Sequence, residues 1–295
     1  MDSVKHRHLF KGKVKLKPYL YLLPALLFVI TFTYYPFIRT LYNSFFSLNI
    51  YGETVRFLGT LNYSDVLHNS NFYNALKNSL KYTAIGVPAS ILISLLLALL
   101  TQKRRFLGRA SQVMISLPMA ISMSATAMIF RLLLNPLIGY LNYALNLDIQ
   151  WFGSRNTALM SLVLVSVWMS IGFQYIFLLA ALKGVPEELL EAGSIEGANA
   201  FYSTTRIVLP MISPTIFYLF CTETIAYMLM VGPTLVLTRG GPFRSTVTLI
   251  YHMYEQSMYN QFWGYGYALS VVIFAILFLI ILLTFRLESK GVHYS

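Results

Sequence analysis

Glu191–Pro210 reads EAGSIEGANAFYSTTRIVLP, a polar interruption between two strongly apolar stretches. Just upstream, Pro186 precedes Glu187 and Glu188. Proline is tolerated in the first turn of a helix, where its missing N–H has no partner to lose, and acids favour the positive end of the helix dipole. Leu189, Leu190 and Ala192 extend this helix, and Gly193 is expected to loosen it. Ile195, Ala198 and Phe201 then recur at helical spacing, giving a small apolar face on a polar surface. Gly197 beside Ala198 would let another surface approach the backbone closely. The residues alone allow two readings: an interfacial loop whose glycines turn the chain, or a helix gripped by another protein.

Outward from this loop the chain is apolar. Of its 295 residues, 57% are hydrophobic and 11% charged. Soluble domains run near a quarter charged, so this composition belongs to a membrane protein. A net charge of +11 raises the question of nucleic acid, but Lys and Arg gathered at the cytoplasmic ends of spans account for it. The basic head (Lys5, Arg7, Lys11, Lys13, Lys15, Lys17) leads into an apolar run too long for a signal-peptide core and without a small-residue cleavage site. Cys221 is the single cysteine, which excludes an intrachain disulfide and a cysteine-based metal site.

A span needs roughly 20 mostly apolar residues. Segments meeting that need lie near Tyr19–Ser44, Leu76–Leu100, Ser111–Leu134, Ala158–Leu182, Ile207–Leu237 and Phe262–Phe285. Prolines and polar residues interrupt them (Pro24, Pro36, Pro88, Pro118, Pro214, Pro233), as a packed bundle tolerates better than an isolated anchor. With this count the basic head, Lys103-Arg104-Arg105 with Arg109, Lys183, Arg206, Arg286 and Lys290 share one side. The other side carries chiefly Arg56, Arg155, Arg239 and Arg244. The bias places both termini and the Glu191–Pro210 loop in the cytoplasm of a multi-pass membrane protein.

A transporter needs an energy source. No G-x-x-x-x-G-K-[ST] phosphate loop is present, and Gly12-Lys13 lacks both flanking requirements. Ion-coupled carriers bury acids or histidines in their spans, and here Glu223 is the one clear intramembrane acid. The five histidines (His6, His8, His68, His252, His293) form no metal-ligand pair with a matching acid, and no nucleophile–base cluster stands out. Neither a catalytic site, a metal nor a cofactor is expected. Energy is expected to arrive through a partner, at the cytoplasmic loop.

The order Glu191, Ala192, Gly197, Ala198, Phe201, Ile207, Leu209, Pro210 resembles the EAA loop of binding-protein-dependent ABC importer permeases. Gly193 stands where the family usually has a second alanine, and Glu196 where it has aspartate. LLPALLFVITFTYYPFIRTLYNSF, FLGTLNYSDVL, NALKNSLKYT and LTRGGPFRSTVTLIYHMYEQSM resemble the carbohydrate-uptake branch, relatives of the maltose and glycerol-3-phosphate permeases. The resemblance runs in order along nearly the whole chain. It implies an all-α integral membrane protein, a six-helix type I ABC importer transmembrane domain with a cytoplasmic coupling loop. Residues 1–18 would form a basic cytoplasmic tail, 19–74 the first helix and outer loop, 75–286 the permease core, and 287–295 a cytoplasmic tail. The implied partners are an ABC ATPase dimer contacting Glu191, Ala192, Gly197, Ala198 and Phe201, a second, related permease, an extracytoplasmic solute-binding protein, a sugar solute and membrane lipid. Nucleic acid is not among them.

A sugar path needs aromatic platforms and hydrogen-bonding groups. Trp168 and Gln174 of the fourth span and Phe217, Tyr218, Glu223 and Tyr227 of the fifth offer both. Glu223 could instead pair with a polar group of a neighbouring helix. Gly240, Gly241 and Pro242 form an outer turn that, by family resemblance, meets the binding protein, or simply reverses the chain. The alternative class is an ion-coupled carrier acting without an ATPase. Within the ABC class the alternative solute is glycerol-3-phosphate or another anionic solute, for which Arg131 is the cation considered.

Overall fold

The structure is a computed structural model that describes residues 16–102 and 108–291. The basic head through Lys15, the Lys103-Arg104-Arg105 cluster and His293 lie outside the described residues.

Helix α1 (Leu16–Val29) passes through a π turn, Ile30–Tyr34, into α2 (Tyr35–Asn43). The widened turn has a local cause. In a regular helix the Pro36 ring would strike the carbonyl four residues back, at Phe32, inside that turn. Leu20–Asn43 is one membrane-length helix whose most apolar stretch is wholly exposed. A short antiparallel hairpin follows, β1 (Phe46–Leu48) and β2 (Thr54–Phe57), with Phe46 opposite Phe57. These strands depart from the all-helical expectation at one end of the bundle only. Then come α3 (Leu61–His68) and α4 (Ser70–Gln102), whose 33 residues are about 50 Å long at 1.5 Å per residue.

The expected third span, Ser111–Leu134, is not a straight helix. It breaks into α5 (Gly108–Ser116) with a 3-10 turn, Leu117–Ala120, and α6 (Met123–Leu133), which meet at a 104° bend. Pro118 lacks an N–H for the ladder, and the Ser122 hydroxyl caps the new helix by accepting from the Ala125 N–H at 3.3 Å. Beyond α7 (Tyr140–Leu145), α8 (Ala158–Lys183) runs through the middle of the molecule. Gly172 lets it approach the break: a Cβ there would lie 2.9 Å from the Ser116 carbonyl oxygen.

Helix α9 (Glu187–Ile195) and α10 (Ala200–Ser203) form the loop after α8. A second π turn, Thr204–Val208, leads into α11 (Leu209–Met228), again with a proline, Pro210, four residues beyond a carbonyl inside the turn. The fifth span therefore runs Ala200–Met228, and does not continue to Leu237 as expected. Past Met228 the chain turns through Gly232 and Pro233 into the π turn Thr234–Thr238. The last elements are α12 (Leu249–Tyr254), the π turn Glu255–Tyr259 and α13 (Trp263–Gly291). Among the described residues, five helices are long and apolar enough to cross a membrane, and the bent α5–α6 pair makes six if it counts as one span.

The main core lies where α4, α8 and α11 meet, through Tyr82, Val87, Leu162, Leu178, Leu219 and Tyr227. Small residues permit the close approach, as in membrane bundles generally. Gly86, for example, leaves room for the Tyr227 ring. A second core joins Phe72 and Ala75 of α4 to Leu249 and Tyr251 of α12 and Leu269 and Ile273 of α13.

Candidate functional site

The α9–α10 loop is built around a particular helix ending. The Ala198 N–H donates to the Gly193 carbonyl at 2.9 Å, and the Gly197 N–H donates to the Ser194 carbonyl at 3.1 Å. This pair of bonds, with Gly197 at φ +86°, is the Schellman arrangement that closes a helix with a left-handed residue. Gly197 is thus the stop signal of α9, and open space surrounds the position its side chain would take. Asn199 then starts α10 by accepting from the Tyr202 N–H at 2.8 Å. Gly193 does not loosen α9, which runs unbroken to Ile195. A Cβ on it would sit 2.9 Å from Ile207 Cδ1, so the glycine lets α9 rest on the π turn leading into α11.

Glu191, Ala192 and Gly197 are exposed and Ala198 is half-buried. Ile195 is 87% exposed and Phe201 is 78% exposed. These two and Ala198 are not on one helix, because the left-handed turn at Gly197 separates them; they flank the corner between two short helices. A cleft of about 450 Å³ opens at this corner, lined by Gly193, Glu196, Gly197, Asn199, Tyr202 and Arg206. The corner can accept a protruding helix or loop, and it is tied at one end to α8 through buried Val185 and at the other to α11.

Between the helices runs a buried polar seam. The Gln174 amide donates to Ser90 Oγ at 2.9 Å, and Ser94 Oγ donates to Gln174 Oε1 at 3.2 Å. The Glu223 carboxylate lies beside the Gln174 amide and the Ser170 hydroxyl without a well-formed hydrogen bond. Tyr82 and Ser166 share a hydrogen bond between hydroxyls. The Tyr227 hydroxyl lies beside Ser170 and Ser90 without a well-formed hydrogen bond. Of the six residues expected along the solute path, Gln174, Glu223 and Tyr227 meet in this seam. The others lie apart from it: Trp168 packs edge-on against Phe130 at 5.3 Å, Phe217 against Phe285 at 5.5 Å, and Tyr218 stacks on Phe177 at 5.9 Å, half-exposed. Sequence reading singled out Ser170 beside Gln174 on the fourth span but missed Ser90, Ser94 and Ser166. The signal was present as serines spaced four apart, one face of a helix, on two adjacent spans.

At the opposite end, the turn containing Gly240, Gly241 and Pro242 is held by α4 and α12. Gly240 is buried at φ +80°, where a Cβ would lie 2.8 Å from Val247 Cγ2 and 2.9 Å from Tyr251 Cε1, and the Gly241–Pro242 peptide is cis. Arg239, Phe243 and Arg244 also adopt positive φ, a conformation that costs a non-glycine residue about 1–3 kcal/mol. The surroundings hold it in place. The Arg244 guanidinium donates to both Glu255 carboxylate oxygens, at 3.1 and 2.7 Å. Its backbone carbonyl accepts from the Asn74 and Asn78 amides at 3.1 and 3.3 Å. Burial pushes the Glu255 carboxyl up, but the Arg244 hydrogen bonds and charge, with His252 beside it, outweigh this and hold it below the usual glutamate value. Burial, then the Arg244 charge, hold the His252 imidazole below its usual value. Its Nδ1 is 3.6 Å from Glu255, within Coulomb range but beyond a hydrogen bond. Arg131 sits exposed in the last turn of α6, away from the seam's named residues.

Residues 90–290 match the family model described as "Binding-protein-dependent transport system inner membrane component". The sn-glycerol-3-phosphate transport system permease protein UgpA of Agrobacterium fabrum is 30% identical over 95% of this chain and 97% of its own length. The protein of the same description from Pectobacterium atrosepticum is 31% identical over 94% and 96%. A solved bacterial ABC transporter involved in import of the acidic polysaccharide alginate has a chain of the same fold, at TM-score 0.76 and 20% identity over 93% of this chain and 95% of that one. The alginate transporter in complex with its pentasaccharide-bound periplasmic protein matches at TM-score 0.75 and 21% identity, over 93% and 94%. A multi-pass bundle with an exposed helical loop between its fourth and fifth spans, matched over both its core and its full length, places the chain in the family of binding-protein-dependent transport system inner membrane components.

Proposed function

We propose that this chain forms half of the translocation path of an ATP-driven importer of a sugar or related polyol, coupled to a separate ATPase through α9 and α10. The single observation that carries the coupling role is the exposed corner at Gly197. Its helix ends by a specified left-handed stop, and Ile195 and Phe201 face solvent with no covering partner among the described residues. The chain carries no phosphate loop of its own, so hydrolysis belongs to the partner. On this reading the α9–α10 end and both termini are cytoplasmic, and the 240–242 turn faces the solute-binding protein. A second, related permease completes the path.

Coupling then has a mechanical basis. Closure of an ATPase dimer would displace α9, and α9 is joined to α8 through the short Gly184–Pro186 link with Val185 buried, and rests on Ile207 before α11 on the other side. Both helices line the polar seam, so a push at the loop shifts the walls that hold Gln174 and Glu223. Two discrete packings of such a seam are what alternating access requires. Replacing Gly197 with Asp tests the role: the protein should insert normally but recover less ATPase and lose uptake. Normal uptake with Asp at 197 would reject the docking role.

The ion-coupled alternative rests on Glu223. Its carboxylate is buried beside Gln174 and Ser170 in the seam between helices, which supports a role in packing rather than in ion transit.

A further inference from the structure

We propose that the cleft between α4, the segment before α8 and the Phe243–Ser245 turn binds the phosphate or carboxylate group of an incoming solute. The inference rests on the importer reading, which puts this end of the bundle on the side from which solute arrives. The cleft has a volume of about 310 Å³ and is lined by Lys77, Lys81 and Arg155 together with the amides of Asn74, Asn78 and Asn156. That volume suits one sugar unit or a glycerol phosphate, at the low end of small-molecule sites.

Three features argue that these cations await an anion. Among the described residues none of the three makes an ion pair; the nearby Arg244 is already taken by Glu255. Lys77 and Lys81 stand four apart on one face of α4, an arrangement in which like charges repel and destabilise the helix. They also lie at the end of the bundle away from the basic head, so the positive-inside bias does not explain them. The site is also preformed. Asn74 and Asn78 each donate to the Arg244 carbonyl, which fixes the turn against α4, and Phe243, 85% exposed, forms an apolar wall. A fixed concavity with cations on two walls suits a small anionic group better than the broad face of a protein.

A lipid phosphate shares this chemistry, so the test separates the two. The full-length chain is placed in phosphatidylcholine nanodiscs, and ligand-observed NMR follows sn-glycerol 3-phosphate and glucuronate against neutral glycerol and glucose. At least one anionic probe should bind and the neutral ones should not. The K77Q/K81Q variant and, separately, R155Q should each weaken binding by about tenfold or more, as lost charge-assisted hydrogen bonds do. K77R/K81R should restore it. Equal binding of neutral probes, or unchanged binding in both neutralised variants, overturns the proposal. So does a wild-type protein that binds no anionic probe but retains phosphatidylglycerol more than its neutralised variants, which would assign the cleft to lipid. ATPase recovered with each variant reports folding and the importer reading separately: intact recovery without anion binding sinks this inference alone.

Discussion

Gly197 and Gly193 do different physical work although both are small. Gly197 holds φ +86° with nothing near its would-be side chain, so its requirement is conformational. Asparagine tolerates the left-handed region and valine does not, at a cost of about 1–2 kcal/mol. Hydrogen exchange should find the Ala198 amide, bonded to Gly193, protected in Gly197→Asn and unprotected in Gly197→Val. Equal protection in both would mean that the glycine does not set the turn. In the seam, Gln174 bonds Ser90 and Ser94, with Glu223 beside it. Gln174→Leu removes both bonds and takes the polar amide away from the buried Glu223 carboxyl, a loss of about 1–3 kcal/mol for each buried group left short of a partner. Its thermal midpoint in detergent should drop well below that of Glu223→Gln, which keeps an acceptor oxygen and should retain uptake. Abolished uptake in a well-folded Glu223→Gln would instead support ion coupling.

At the scale of elements, the breaks follow from prolines and caps. Pro36 and Pro210 were visible in the sequence, but that each would be met by a π turn was not, because a helix can also kink there. The third span shows the same limit. Its hydropathy is continuous, and only the Pro118 and Ser122 combination, packed against Gly172, turns it by 104°. Gly172→Ala would place a Cβ 2.9 Å from one backbone oxygen and 3.0 Å from the Met119 nitrogen, so it should destabilise by about 1–3 kcal/mol, read as a lowered thermal midpoint. An unchanged midpoint would mean that α8 does not hold the break. That the 187–203 loop holds a short helix begun after Pro186 was legible because its proline, glycines and acids are local signals, whereas the left-handed corner at Gly197 was not. Gln174, Glu223 and Tyr227 of the seam were legible; their serine partners and the basic cleft were not, because Ser90 with Gln174, and Lys81 with Arg155, become neighbours only after α4 and α8 pack.

The 244–255 clamp makes a pH prediction for the end opposite α9. His252 has a folded pKa below its ordinary 6.5, so the fold favours its neutral form, and stability falls as pH drops below 6.5 toward the lower folded value. Glu255 has a folded pKa below its ordinary 4.5, so its contribution is present above 4.5 and is lost as pH falls through the depressed value. Limited proteolysis within 239–247 should therefore rise in two stages on acidification. Glu255→Gln should remove the second stage and expose the turn even at neutral pH. A flat profile in the wild type would show that the clamp does not hold the strained turn.

At the scale of the whole molecule, two apolar surfaces stand uncovered among the described residues. Leu20–Asn43 keeps its most apolar stretch wholly exposed, and the Ile195 and Phe201 corner faces solvent; both are surfaces that lipid or other subunits must cover. Family membership and a shared fold across the full length explain why. The central claim is that this chain works only as one subunit, driven through α9 and α10. Gentle purification of the tagged chain from its native membrane, with mass identification of what accompanies it, tests that most directly. The account predicts an ABC ATPase and a second permease with the wild type, and depletion of the ATPase with Gly197→Asp. A chain recovered alone that transports solute on an ion gradient after reconstitution would contradict it.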